Sequence, residues 1–297
     1  MSKLNLKRHP LHDFYGDGEV ARDRERWVKN SRWRAAVQAR KDSRRPGDLA
    51  PLQLTTANTM LLIDDVNSFW EFLNASVDYA VAGFKLWYAP GDVEVELCGQ
   101  QLRLPGATPG LGATPRDWWH AVACAKILRR SEAVQSLLGY DQGQFLRIPG
   151  QRDAYQLELA AALRDFWLDS QEFEAHAAKT EELGAPGVAT ISGPRLAKLD
   201  VSKLDVMRAI RAGDASTFND AALQSLKAFK AFWGTGKNKS DPDSYHDWLG
   251  TALAIDGEAR AMTYEVESDY TPRWLIDGPP AGLLDHFKTL YEAPPTA

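Results

Sequence analysis

The sequence contains very little cysteine: among its 297 residues, only Cys98 and Cys124 are present. Their spacing matches neither a zinc-ligand pattern nor the cysteine framework of a small secreted domain. The first 18 residues lack the apolar run of a signal peptide, and no stretch reaches the roughly 18 apolar residues of a membrane span. Together these shortages predict a cytoplasmic protein with no membrane partner.

The sequence also lacks the strong positive charge that is typical of a nucleic-acid-binding protein. It holds 35 Lys and Arg against 40 Asp and Glu, a net charge of −5. The distribution is uneven, because residues 1–46 carry a net charge of +7 and residues 47–297 carry −12. We expect residues 1–46 to form a basic arm or helix that packs on an acidic body. Phosphate contacts and base stacking are the alternative role of this arm, through Arg22, Arg24, Arg26, Arg32, Arg34, Arg40, Arg44 and Arg45 with Trp27 and Trp33.

Catalytic and metal-binding motifs are missing as well. No nucleophile elbow, glycine-rich phosphate loop or HExxH motif occurs. His120 and Cys124 stand four residues apart on one predicted helix, but the sequence indicates no third ligand, so a packing role is the better interpretation. His246 and Asp247 are adjacent in a predicted helix and point in different directions, which favours a surface or capping role over acid–base chemistry. We therefore expect no catalytic residue, no cofactor and no metal.

Helical periodicity dominates the chain. We predict helices over residues 19–41, 65–88, 153–179 and 215–233, with the second of them central and buried. The Pro/Gly-rich residues 44–51 predict a break, and residues 183–194 a loop. Thr114 and Pro115 are typical of an N-cap followed by the first helical residue. The aromatic residues are interpreted mainly as core, including Trp118, Trp119, Trp233, Trp248 and Trp274.

Two segments change the period from about four residues to two. Val93, Val95 and Leu97 alternate with acidic residues, and Leu102 and Leu104 follow a short turn, which predicts a β-hairpin. Near the C-terminus, Tyr245 and Trp248 begin an apolar helix face. Asp256–Gly257 predicts the end of that helix, because Gly adopts a left-handed cap without steric cost.

Beyond this predicted cap the chain alternates again and is expected to run extended to Pro272. Glu265, Glu267 and Asp269 then lie on one side of the strand, with alternate positions about 6 to 7 Å apart. Such a row of carboxylates is typical of a solvated strand face, of an acidic binding surface, or of a metal or acid–base site. We expect this row, together with Asp256 and Glu258, to contact a partner.

Three segments carry a family resemblance. They are DWWHAVACAKILRRSEAVQSLL (117–138), FNDAALQSLKAFKAFW (218–233) and WLGTALAIDGEARAMTYEVESDYTPRWLI (248–276). In this order, after the hairpin, they resemble the immunity protein 49 family of bacterial polymorphic toxin systems. The resemblance covers about residues 60–285.

This resemblance implies a mainly α-helical protein: a single-domain, bundle-like helical array with one small β-hairpin, in which residues 47–297 form the immunity-type domain. It also implies a function, namely stoichiometric binding and neutralisation of a cognate toxin, and a nuclease is one expected toxin class. Two alternatives stay open at this point. They are a helical enzyme centred on residues 265–269 and a nucleic-acid-binding regulator that uses the basic arm.

Overall fold

The computed structural model describes residues 4–8, 39–61, 65–97, 99–107, 114–145, 153–189 and 191–292. The predicted helix over 19–41 lies almost entirely outside these residues, as do most arginines of the basic arm and Cys98. The predicted boundary between arm and body at residue 46 stays a prediction. The described residues are mainly α-helical, which confirms the predicted fold class.

The described elements follow one another along the chain as four short strands and twelve α-helices. The strands are β1 (Leu4–Leu6), β2 (Val93–Leu97), β3 (Gln100–Leu104) and β4 (Val266–Ser268). The helices are α1 (Arg45–Met60), α2 (Val66–Tyr88), α3 (Pro115–Ile127), α4 (Ser131–Leu138), α5 (Gln142–Phe145), α6 (Ala154–Trp167), α7 (Phe173–Leu183), α8 (Gly193–Ala212), α9 (Ala215–Trp233), α10 (Trp248–Ala259), α11 (Arg273–Asp277) and α12 (Leu283–Glu292). Two 3₁₀ turns, Gly236–Ser240 and Pro242–Ser244, connect α9 to α10.

The chain forms two compact units. The first unit contains Met1–His12 and Leu138–Gly278, and the second contains Asp13–Leu137 and Pro279–Ala297. In the second unit, α2 is buried along most of its length, as its apolar residues predict. Strands β2 and β3 pair antiparallel with Val95 opposite Leu102, which confirms the predicted hairpin.

The predicted break at residues 44–51 is misplaced: the break falls at residues 42–44, and helix α1 begins at Arg45. Pro46 occupies the first turn, where a missing N–H costs no helical hydrogen bond. Gly47 allows a close helix crossing: a Cβ on Gly83 of α2 would lie 2.4 Å from the Gly47 Cα. The glycine and the first proline are therefore compatible with the helix they were expected to interrupt.

Helix α3 begins as predicted. The Thr114 side chain accepts a hydrogen bond from the Asp117 N–H, and the Asp117 carboxylate accepts one from the Thr114 N–H. Trp118 and Trp119 are both buried, although they are adjacent in the helix. Of the other tryptophans expected in the core, Trp248 is buried, Trp233 is half-buried and Trp274 is 37% exposed.

The predicted helix over residues 153–179 is two helices, α6 and α7. Helix α6 ends in a left-handed turn at Asp169, which has φ of 54°. The Ser170 N–H donates to the Asp165 carbonyl across this turn and completes the cap. No Gly or Pro occurs at this turn, so the helical periodicity of the sequence predicted a single continuous helix. The predicted loop over 183–194 is confirmed, since α7 ends at Leu183 and α8 begins at Gly193.

Candidate functional site

The segment that carries Glu265, Glu267 and Asp269, which we call the acidic strand, lies near the C-terminal end of the sequence of the first unit. Helix α10 precedes it, and its N-cap is Asp247, whose side chain accepts a hydrogen bond from the Gly250 N–H. Asp247 also forms an ion pair with Lys203 of α8, and both side chains are buried. Removal of either member by mutation would be strongly destabilising, because it would leave the other charge buried without compensation. The capping role predicted for this position is confirmed, whereas the surface location is wrong.

His246 is buried next to this pair. Its ring lies 5.3 Å from the Trp248 ring and 6.0 Å from the Trp274 ring, measured between centroids. Burial, and to a smaller extent the positive charge of Arg8, lowers the pKa of His246 well below its usual range. The side chain is therefore neutral at physiological pH and belongs to the packed interior.

The predicted cap at Asp256–Gly257 is wrong, because α10 continues to Ala259. The left-handed residue is Ala261, with φ of 62°. The Met262 N–H donates to the Gly257 carbonyl and the Ala261 N–H to the Glu258 carbonyl, as in a Schellman motif. Gly257 is required for a different reason, since a Cβ there would lie 2.5 Å from the Phe218 ring.

The segment after α10 is extended through Ser268, as predicted, but the chain turns at residues 269–270 instead of running extended to Pro272. Met262, Tyr264 and Val266 are buried, while Glu265 and Glu267 are exposed on the opposite side. The side chain of Asn219 on α9 holds this segment through hydrogen bonds to the backbone of the segment. Its Nδ2 donates to the Thr263 carbonyl at 2.9 Å, and its Oδ1 accepts from the Glu265 N–H at 2.8 Å. Asn219 therefore fixes the strand whose alternate side chains are acidic.

Strand β1 pairs with β4 in parallel, and Asn5 stands opposite Glu267. An open groove of about 720 Å³ lies along this sheet, and we call it the acidic groove. Its lining includes Glu265, Glu267 and Asp269 together with Lys7 and Arg273. The three carboxylates predicted to act together thus line one concave surface.

The other two residues predicted to contact a partner make contacts within the first unit. Asp256 accepts a hydrogen bond at 2.9 Å from Trp167 Nε1 at the end of α6. Glu258 forms a two-point ion pair with Arg273, which lies at the edge of the acidic groove. Neither residue lines the groove. Their proposed role in partner binding stays a prediction.

Arg8 is the residue of this site that sequence reasoning missed. Its backbone N–H donates to Asp269 Oδ2 at 2.9 Å, and its guanidinium donates to the Asp269 carbonyl. The guanidinium carbon lies 5.6 Å from the centroid of the Tyr245 ring and 6.0 Å from that of the Tyr270 ring. The only sequence signal was the alternation in LNLKR at residues 4–8, which is too short to distinguish from an irregular arm.

His120 and Cys124 lie on α3 in the second unit. Cys124 is fully buried, and burial lowers the pKa of His120 to about 3. Within the described ranges, no three His, Cys, Asp or Glu side chains come together in a way that could hold a metal ion. Among the same residues, no helix combines the length and apolar character needed to cross a membrane.

A comparison with known protein families finds a match over most of the chain. The family model described as immunity protein 49 matches residues 63–275, which is most of the chain. No curated protein and no solved structure matches the chain. The matched range includes α9, α10 and the acidic strand, and it begins after β1.

Proposed function

The chain belongs to the immunity protein 49 family, and from this premise we propose that it binds and neutralises a cognate bacterial toxin in a stoichiometric complex, without a catalytic step. We further propose that it acts in the cytoplasm of the cell that makes the toxin. The observation that carries the binding proposal is the acidic groove, where Glu265 and Glu267 are exposed on an extended segment that Asn219 holds by two hydrogen bonds.

Electrostatics supports a basic toxin as the partner. Residues 47–297 carry a net charge of −12, and a surface of one sign speeds association with a partner of the other. A nuclease toxin needs a positive surface to bind its substrate. An acidic inhibitor that covers this surface would block access of the nucleic acid, so a nuclease is the toxin class that we propose.

The exposure of the acidic strand favours binding over catalysis. A general acid or base is usually tuned by burial or by a close charge, whereas the Glu265 and Glu267 side chains are exposed to solvent. The buried titratable groups nearby are engaged in structure: Asp247 pairs with Lys203, and the Tyr264 hydroxyl is hydrogen-bonded to Thr271 at 2.8 Å. An enzyme centred on this strand is the hypothesis that competes with ours.

Charge reversal tests the role of the groove. The toxin is first identified by copurification with the product of the neighbouring gene. Glu265→Lys combined with Glu267→Lys should slow association with this toxin and weaken the dependence of the rate on salt. Folding should persist, because exposed charges contribute little to stability. Asp269 is left unchanged, since it also holds Arg8.

The matched control reverses Glu94 and Glu132, which are exposed acids outside the acidic groove. It changes the net charge by the same amount. Association kinetics at two ionic strengths should separate the two double variants. Equal rates for both would remove the groove from the interface, and failure of the unaltered chain to bind the toxin would contradict the proposed function itself.

A further inference from the structure

The edge of β4 is already paired with β1 of the same chain, and the two residues that follow β1 are basic. Residues 4–8, the sequence LNLKR, form β1 and its continuation, and we call them the N-terminal segment. Lys7 lines the acidic groove beside the carboxylates, and Arg8 is hydrogen-bonded to Asp269. The segment therefore places two positive charges on the surface that we propose for a basic partner.

Arg8 occupies a pocket whose walls belong to the folded body of the first unit. Tyr245 and Tyr270 are fully buried, and the Tyr270 ring packs against Phe229 at 5.0 Å between centroids. Two aromatic rings and a backbone carbonyl form a common setting for a guanidinium group. Phe229 of α9 and the backbone N–H of Asp247, which donates to the Tyr270 carbonyl, hold the Tyr270 wall independently of the N-terminal segment.

The strand pairing of the N-terminal segment is short. Only three residues pair with β4, and Asn5 and Lys7 are exposed. A side-chain contact from α9 adds one hydrogen bond, in which Lys230 Nζ donates to the Lys7 carbonyl at 2.8 Å. In the described structure, Arg8 Nε is buried without a hydrogen-bond acceptor. Such a donor is unfavourable, and a strand this short opens more readily than the core.

We propose that β4 and the Tyr245–Tyr270 pocket form a binding site for an extended basic segment of the toxin, and that the N-terminal segment is an internal ligand which the toxin segment displaces. The identity of this partner rests on the proposed function. Addition of a strand to a sheet supplies backbone hydrogen bonds, and pockets for alternate side chains supply specificity. LNLKR indicates the preferred ligand: alternating apolar residues followed by Lys and Arg.

Displacement also changes the charge of the surface. When the N-terminal segment leaves, Lys7 and Arg8 no longer offset Glu265, Glu267 and Asp269. The arriving toxin segment supplies positive charge and backbone hydrogen bonds of the same kind, so the exchange preserves most contacts of the free protein. The toxin binds more tightly than the N-terminal segment only if its remaining surface adds contacts. The site is therefore selective for the complete toxin over short basic peptides.

A peptide exchange experiment tests the site without the toxin. The probe is a fluorescent synthetic peptide with the sequence of residues 1–12, and the proteins are the full chain and its full-length Arg8→Ala variant. The variant should bind the peptide about tenfold more tightly than the unaltered chain does, because its own segment competes less well. A control peptide with Arg8→Ala should bind neither protein with measurable affinity.

Equal peptide binding by the two folded proteins would overturn the proposal. A dimer of the unaltered chain that Arg8→Ala dissolves would also overturn it, by identifying a second copy as the occupant. If the variant fails to fold, hydrogen exchange of the unaltered chain decides. Rapid exchange at residues 266–268 relative to α9 supports displacement, whereas equal protection marks β1 as a permanent strand. These readouts involve no toxin, so their failure would leave the proposed function untouched.

Discussion

At the scale of single residues, the end of α10 reverses the usual roles of glycine and alanine. Glycine inside a helix is ordinarily replaced by alanine with a gain of roughly 0.5–1 kcal/mol. At Gly257 the new Cβ would lie 2.5 Å from Phe218 Cζ. We expect Gly257→Ala to destabilise the protein by about 1–3 kcal/mol through overpacking. Denaturant unfolding measures this, and a gain in stability would contradict the packing described for α10.

Ala261 is the counterpart, four residues along. Its left-handed backbone, with φ of 62°, is unfavourable for an L-residue. Ala261→Gly should stabilise the protein by about 0.5–1 kcal/mol, because relief of this strain exceeds the added flexibility of the unfolded chain. The same unfolding assay checks it. Lower stability in this variant would mean that the cap tolerates alanine without strain.

Gly257 and Ala261 explain why the sequence predicted the C-cap of α10 at the wrong residue. A glycine after an apolar helix face is the usual signal for a C-cap, and Gly257 carries that signal. Its actual cause is the approach of Phe218, which is 39 positions away in the sequence and belongs to α9. Local patterns do not contain information about such an approach.

At the scale of elements, Asn219 is the side chain that attaches the acidic strand to α9. We expect Asn219→Ala to lower the free energy of unfolding by about 1–3 kcal/mol, since it removes two part-buried hydrogen bonds to the Thr263 and Glu265 backbone groups. Hydrogen exchange should accelerate at residues 263–268. The hairpin over residues 93–104 is the internal control and should exchange as before. Unchanged exchange in the strand would show that other contacts hold it.

Elements that depend on local pattern were predicted well. The hairpin, the N-cap of α3 and the buried α2 follow from alternation, capping residues and a broad apolar face. The acidic strand was predicted for the same reason. Its pairing with β1 was not, because Leu4 and Val266 are more than 250 residues apart and three-residue strands have no distinctive period. The Arg8 pocket depends on that pairing and was missed with it.

At the scale of the whole molecule, buried His246 predicts how stability depends on pH. Its pKa in the folded protein is far below that in the unfolded chain, which is about 6.5. Below pH about 6.5 the unfolded chain binds one proton more than the folded chain at this site. The free energy of unfolding should therefore fall as the pH decreases, by up to about 1.4 kcal/mol per pH unit from this group.

Comparison with His246→Asn isolates this contribution. The variant lacks the titrating group, so its stability should depend less on pH between 7.5 and 5. As the pH falls, the unaltered protein should therefore lose more free energy of unfolding than the variant does. Parallel curves over that range would mean that His246 titrates normally in the folded state and is not buried as described.

For the molecule as a whole, we propose that one copy of the chain binds one toxin molecule through its acidic surface. Titration of a fixed amount of toxin with the purified chain tests this claim most directly, with the toxin concentration well above the dissociation constant. Residual toxin activity should fall linearly and vanish at one equivalent, and native mass measurement should find a one-to-one complex. Loss of activity at a small fraction of an equivalent, without a stable complex, would contradict the account and assign the protein a catalytic role.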